Sequence, residues 1–339
     1  MFLRNCWYVI AWDHEVQAEG LFSRVVLNEP ILVFRTADGG FAAMEDRCCH
    51  RAAPLSRGKK EGDAVRCGYH GLKFDATGAC VDAPGLDRIP AQARVKTYPV
   101  VLHHRWLFVW MGDPAKADRA LLPDCFSNDH PEWRNKPGYM HYPTPYLLIC
   151  DNLLDFSHLT YVHESTLGGS TAIAQAKAEV EEIPRGVRVT RRVPDVPPPP
   201  YYQNIRKFPG LVDRWFIYDF VFPGTLLMQS GGKPAGLATP DPSNSVFLHS
   251  CQTLTPETES STHYFFQQSH RADAGSPGVT QGIYDSLVTA FHEDRAMIAA
   301  QAEALRRDPQ APMLPLAMDA ALLRYRRMLE AAVAAEAAG

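Results

Sequence analysis

The chain has few of the features that mark membrane, secreted, nucleic-acid-binding or hydride-transferring proteins. No apolar run in its 339 residues approaches the roughly 20 needed for a membrane-spanning helix. Arg4, Asp13, His14 and Glu15 interrupt the apolar residues of the N-terminus, so no secretory leader is expected. Neither sign of charge dominates. With 34 Lys and Arg against 38 Asp and Glu, the net charge is −4, which gives no case for a nucleic acid or a membrane surface as partner. A glycine-rich dinucleotide fingerprint after a strand is missing, and Gly168-Gly169 and Gly231-Gly232 do not supply one. The chain is therefore not expected to take hydride from NAD(P)H by itself. There is no internal repeat. The composition agrees with a cytoplasmic protein, and the length suits two domains and a sizeable core.

The most informative residues present are Cys48 and His50, then Cys67 and His70. They stand in Cys48-Cys49-His50-Arg51 and Cys67-Gly68-Tyr69-His70-Gly71. Each short loop offers one thiolate and one imidazole. Such a mixed set fits a Rieske [2Fe-2S] cluster, in which two histidines replace two cysteines on one iron and raise the reduction potential. The alternative is a structural zinc site. Zinc pairs usually leave two to four residues between ligands, and Cys48-x-His50 leaves a single one. The other cysteines are Cys6, Cys49, Cys80, Cys125, Cys150 and Cys251; in a reducing compartment each reads as a small buried apolar residue.

A cluster only moves electrons, so a site that it feeds is expected. The segment from Asp151 to His163 packs Asp151, Asn152, Asp155, His158 and His163 among Leu147, Leu148, Ile149, Leu153, Leu154 and Leu159. The apolar spacing predicts a mostly buried helix, on which polar groups need partners or a metal. His158 and His163 lie about 140° apart on an ideal helix, so both reach one metal only if the helix bends or ends between them. Non-haem Fe(II) sites add one carboxylate to two histidines and leave positions open. Asp294 is the candidate. It falls on the apolar stripe Ile283, Leu287, Phe291 and Ile298 of a helix predicted from about Gln281 to Arg307, with Glu293 one step to the side. A carboxylate in that stripe is costly unless neutralised. The alternatives are satisfied core histidines and a surface acid paired with Arg295 or Arg306.

Cys48-x-His50 and Cys67-x-x-His70-Gly71-x-x-Phe74 resemble the N-terminal domain of Rieske non-haem iron oxygenases. The second loop, Gly68-Tyr69, has no cysteine to pair with Cys49, unlike respiratory Rieske proteins. The Asp155-x-x-His158-x-x-x-x-His163 pattern and the late Asp294 resemble the same family's iron ligands. The opening Arg4-Asn5-Cys6-Trp7-Tyr8-Val9, the block 151–163, and Leu254 to Glu259 followed by Tyr264-Phe265-Phe266 are similar to the subgroup of vanillate O-demethylase, dicamba O-demethylase and toluenesulfonate methyl-monooxygenase. The cluster loops are most similar to the toluenesulfonate enzyme.

The resemblance implies a terminal oxygenase that uses O2 and electrons from a separate flavin or iron–sulfur reductase, or a ferredoxin. It hydroxylates a methyl or methoxy carbon of an aromatic carboxylate or sulfonate. His158, His163 and Asp294 are implied ligands of a mononuclear Fe(II), and Asn152 a polar residue close to it. Asp155 is implied to link that iron to the Rieske histidine of a neighbouring subunit, so a ring, usually a homotrimer, is expected. An alternative for Asp155 is a hydrogen bond that only orients His158. A ring hydroxylase and a non-catalytic Rieske electron carrier remain as alternative functions.

Short strands at Val25–Leu27, Ile31–Phe34, Val65–Cys67 and Trp106–Trp110, separated by turns at Asp38-Gly39-Gly40 and Asp75 to Gly78, predict a small all-β domain over residues 1–114 that grips the cluster. Residues 115–339 are expected to form an antiparallel sheet covered by helices, making the whole α+β. Pro194 to Pro200 reads as an extended loop, and the Ala-rich tail from Ala317 as a terminal helix that frays. An anionic aromatic substrate wants a cation or amide donor in an apolar pocket. Gln252, His249, Arg206 and Arg214 are the candidates, each equally readable as a strand or surface polar residue.

Overall fold

The computed structural model describes residues 2–168, 170–275 and 277–338. They divide into two compact units. The first runs to Leu122 and takes in Thr255–Thr258; the second holds Pro123–Leu254 and the chain from Glu259 onward.

The first unit is built from three small antiparallel sheets. One joins Trp7–Trp12, Trp106–Trp110 and Val100–His103. Another orders Phe22–Val26, Glu29–Arg35, Phe41–Glu45 and Thr97–Tyr98, and the third Lys59–Lys60, Ala64–Arg66, Lys73–Asp75 and Cys80–Asp82. Trp7–Trp12 and Trp106–Trp110 are buried throughout, as continuous apolar strands must be. The two expected turns close through aspartates: Asp38 accepts from the Gly40 amide, and Asp75 from those of Thr77 and Ala79. Thr255–Thr258 is held by main-chain bonds from Leu27 and Asn28 to Pro256 and Glu257.

The second unit carries an eight-stranded antiparallel sheet. Its path runs Trp133–Arg134, Ser261–Arg271, Val246–Thr258, Thr225–Pro234, Val212–Val221, Gly186–Val196, Ala178–Ile183, with Gly138–Tyr142 also paired to Ser261–Arg271. Side chains alternate between faces along each strand. Arg214, Phe216, Met228, Ser230 and Gln252 consequently share one face, and helices at Tyr146–Leu154 and Val279–Arg307 supply the apolar residues packed around it. The α+β architecture, with a β unit followed by a helix-covered antiparallel sheet, is as expected.

Three local expectations are corrected. The helix expected over 151–163 stops at Leu154: Asp155 is extended, and its carboxylate caps the next turn by accepting from the Ser157 amide at 2.9 Å. The proline run is not all loop. Pro194 lies in the Gly186–Val196 strand at a bulge, and Pro200 starts a helix to Ile205; both are places where a missing N–H is tolerated. The tail is docked rather than free. The Ala320–Ala338 helix buries Ala321, Tyr325 and Leu329, Tyr325 donates to the Pro223 carbonyl at 2.8 Å, and Arg326 pairs with Asp151.

Candidate active site

In the first unit, Cys48 follows the Phe41–Glu45 strand and Cys67 follows Ala64–Arg66. Each loop closes on its own cysteine. The Cys48 amide donates to Ala53 and its carbonyl accepts from Ala52, both at 2.9 Å; the Cys67 amide donates to Leu72 at 2.8 Å and its carbonyl accepts from Gly71 at 3.1 Å. Two glycines make the second loop possible. Gly71 has φ +76°, and a Cβ on Gly68 would lie 2.8 Å from the Arg57 carbonyl oxygen. The thiols turn inward and pack in the core with Leu55, Val65 and Phe74. His50 and His70 are exposed, their ring centroids 4.6 Å apart.

Each loop contributes one thiol and one imidazole, but the fold pairs thiol with thiol and imidazole with imidazole: Cys48 and Cys67 interact directly. A Rieske cluster needs that arrangement, because both imidazoles sit on the same iron. Burial, with Cys67 close by, pushes the Cys48 thiol up to about 11, so loading a metal must displace a proton there. Desolvation, helped by His50 and Arg51, holds His70 below the ordinary imidazole range, which favours its neutral, ligating form.

In the second unit, the end of the helix at Asp155 redirects His158. A single turn, Leu159–Val162, then ends at His163, whose φ −115° and ψ 36° leave the helix. The angular problem of the five-residue spacing is thereby removed. Asp294 arrives from the long helix, buried beside Ile283, Leu287, Phe291 and Ile298. Asp294 Oδ1 lies 3.1 Å from His163 Nε2 and 3.5 Å from His158 Nε2. One ligand atom from each of the three falls within 4.8 Å of the others, a spacing that can hold a metal ion.

The far side of each ligand is also held. His158 Nδ1 lies 2.5 Å from the Asp155 carbonyl, and His163 Nδ1 lies 2.7 Å from Glu293 Oε2, which also accepts from Thr166. With Nδ1 so occupied, Nε2 is the ring nitrogen turned to the site. Asn152 Nδ2 donates to Asp294 Oδ1 at 3.0 Å. The Asp155 carboxylate turns elsewhere, to Ser157 and, at 3.4 Å, to Arg191; its contact with His158 is through the backbone alone. Burial lowers the pKa of His158. For His163 burial also acts downward, but Asp294 and Glu293 outweigh it and hold the group above its ordinary value. Glu293 is the residue that sequence reasoning set aside. The available signal was its place next to Asp294, about 100° round the helix.

The triad opens on a cavity lined by Leu153, Phe156, Phe216, Met228, Leu287 and Phe291 and, among polar groups, Arg214, Ser230, Gln252 and Gln268. Apolar walls with a few polar groups are the lining of a small-molecule site. Of the four substrate candidates, Arg214 and Gln252 line it. Gln252 is tied down, accepting from Tyr264 and donating to Ser250. His249 and Arg206 are not among the lining residues. His249 is three positions from Gln252, hence on the opposite face of the strand, packed on Phe126 and Trp133. Arg206 donates to the Pro242 carbonyl at 2.9 Å.

A cradle suited to a Rieske cluster and an enclosed 2-His-1-carboxylate triad are what an oxygenase supplied with single electrons requires. Comparison with known proteins agrees. Residues 6–99 match the Rieske [2Fe-2S] domain, and residues 142–335 the vanillate O-demethylase oxygenase C-terminal domain. The iron-sulfur subunit of the toluene-4-sulfonate monooxygenase system of Comamonas testosteroni is 46% identical, with 100% of this chain and 99% of that one covered. The crystal structure of dicamba monooxygenase bound to 3,6-dichlorosalicylic acid superposes with a TM-score of 0.91 at 31% identity, covering 100% of this chain and 99% of that one. A further dicamba monooxygenase structure, with non-heme iron and dicamba, has a TM-score of 0.80 at 29% identity, with 99% of each chain covered. The chain belongs to the Rieske oxygenases, in the group of vanillate O-demethylase, and is the monooxygenase component of a multicomponent system.

Proposed function

We propose that the chain hydroxylates a methyl or methoxy carbon of an aromatic carboxylate or sulfonate, releasing an alcohol or, after O-demethylation, a phenol and formaldehyde. The observation that carries this reading is the buried triad of His158, His163 and Asp294 opening on an apolar cavity with one guanidinium. Cys48, His50, Cys67 and His70 are assigned to the [2Fe-2S] cluster, and the triad to Fe(II). When bound, the cluster supplies electrons singly and the iron activates O2 for attack on a C–H bond. The protein's own share is to orient and enclose. Asn152 holds the Asp294 carboxylate, the Asp155 carbonyl and Glu293 fix the two imidazoles, and the apolar lining excludes water around the substrate ring. Electrons are assigned to a separate flavin or iron–sulfur reductase, or a ferredoxin, acting on a homotrimer in which Asp155 lies between this chain's triad and the cluster of a neighbouring subunit. Similarity to the toluene-4-sulfonate enzyme supports an aromatic sulfonate as substrate.

The test is iron and acid-labile sulfide content of anaerobically purified protein, with product analysis. Wild type is expected to hold about three irons and two sulfides per chain, and to convert methylated or methoxylated aromatic acids to alcohol or formaldehyde with reductase and O2. Two irons that added Fe(II) does not raise to three would leave a Rieske electron carrier and overturn the reading.

A further inference from the structure

Apart from His158, His163 and Asp294, one charged side chain among the described residues lines the cavity, and no described carboxylate neutralises it. Arg214 is 2% exposed. Its two Nη atoms donate to the carbonyls of Gly168 at 2.9 Å and Leu167 at 3.3 Å, and the rings of Phe216 and Tyr202 lie 5.0 and 5.4 Å from its guanidinium carbon. These partners are neutral. Among the described residues no carboxylate pairs with Arg214, and its Nε, fully buried, has no hydrogen-bond partner. A guanidinium does not lose its proton in a protein, and a buried charge without a counter-ion is strongly unfavourable. Arg191, the other buried arginine of this sheet, is 4% exposed and does have a counter-ion, Asp155 at 3.4 Å. Arg214 differs in lining the cavity instead.

Ser230 is the second observation. It is 2% exposed and stands on the same face, diagonal to Arg214 because Phe216 pairs with Ser230 and Arg214 with Gly232. Among the described residues its hydroxyl has no side-chain hydrogen bond, while the neighbouring amide of Gln252 is held by Tyr264 and Ser250. Among the described residues the cavity thus offers a cation without a counter-ion beside a hydroxyl without a side-chain partner, and a guanidinium has more N–H donors than the two bonds to Gly168 and Leu167 use.

We propose that Arg214, with Ser230 beside it, reads the anionic group of the substrate, and that the site is built for an aryl sulfonate in preference to a carboxylate or an uncharged aryl compound. The planar fork of Arg214 takes two oxygens, and the Ser230 hydroxyl donates to the third, which a carboxylate lacks. The assignment rests on the aromatic-acid reading above, but it concerns which group anchors the ring rather than which carbon is attacked.

The experiment is calorimetric binding of 4-methylbenzenesulfonate, 4-methylbenzoate and the uncharged 4-methylbenzenesulfonamide to iron-loaded holoenzyme: wild type, Arg214→Gln, Arg214→Lys and Ser230→Ala. Visible spectra and iron content confirm that each variant is loaded. Wild type is expected to prefer sulfonate to sulfonamide. In Arg214→Gln that preference should fall by at least about 30-fold, and Arg214→Lys should restore part of it. Ser230→Ala should narrow the gap between sulfonate and carboxylate by about fivefold. If Arg214→Gln weakens charged and uncharged compounds alike, Arg214 only pins the turn at Leu167 and Gly168, and the proposal fails. It also fails if wild type shows no preference for the anions. Oxygen-dependent turnover of any of these compounds by wild type would uphold the oxygenase reading in that case, so the two failures are distinguishable. Should Arg214→Gln not load, the Arg214→Lys and Ser230→Ala ratios still decide.

Discussion

The two candidate metal sites of this chain place the same imidazole side chain in opposite settings. In the first unit, His50 and His70 stand exposed, and among the described residues neither ring has a hydrogen bond to the protein. Their partners Cys48 and Cys67 are rooted in the core. In the second unit, His163 is buried, His158 nearly so, and both are held through Nδ1, by Glu293 and by the Asp155 carbonyl. An electron carrier needs an accessible edge through which electrons pass, so its imidazoles face outward. A site that handles O2 beside a substrate needs fixed ligands and little water. The shared residue type is therefore less informative than which ring nitrogens the protein occupies.

Four experiments break or sharpen that contrast. The largest effects come from removing a ligand at each site. Asp294→Ala should abolish oxygen-dependent turnover, by at least about a thousandfold, and remove the triad's iron while leaving the Rieske visible spectrum intact. Cys67→Ser should do the reverse, bleaching the spectrum while Fe(II) still binds at the triad. Iron, sulfide and absorbance measured on both variants check the pair, and loss of both metals in either variant would mean that the sites do not load independently. Next, Glu293→Gln should weaken Fe(II) at the triad by about 10–100-fold, read by iron titration, with no change in cluster content. An unchanged affinity would mean that Glu293 does not support His163.

The smallest effect is on stability. Burial, the largest single influence, pushes the Glu29 carboxyl up, but Lys96, Tyr98 and Arg4 together hold it below its ordinary value. A depressed carboxyl stabilises the fold above its unfolded pKa, and the contribution disappears as pH falls through the folded value. Glu29→Gln should therefore cost the first unit about 1 kcal/mol at pH 7. The difference from wild type should shrink below about pH 4. Denaturation followed by cluster absorbance at the two pH values measures it, and a difference that grows on acidification would contradict the assignment.

Legibility in the sequence followed the range of the contacts. The cluster loops were readable because each keeps its ligands within a few residues, and the Asp294 stripe because a helix repeats its faces at a fixed period. His158 and His163 were recognisable as a pair, but the break at Asp155 that aims them was not, since the spacing of leucines carries straight through it. Glu293 was passed over because its partner, His163, is distant along the chain. The strand residues among the substrate candidates divide by parity. Arg214 and Gln252 face the cavity and His249 faces away, and which face of a strand is inward depends on the sheet it joins.

By itself the sequence pointed to the chemical type of both sites, through residues close enough along the chain to share a loop or a helix face, and fixed the order of a β domain before a helix-covered sheet. The tertiary structure alone decided that thiol meets thiol and imidazole meets imidazole across the two cluster loops, that Asp294 meets the two histidines, and that Arg214 lines the cavity with no carboxylate beside it among the described residues. These are contacts between segments far apart in the chain. Local periodicity carries no information about them, and they arise only when strand register and helix packing bring the segments together.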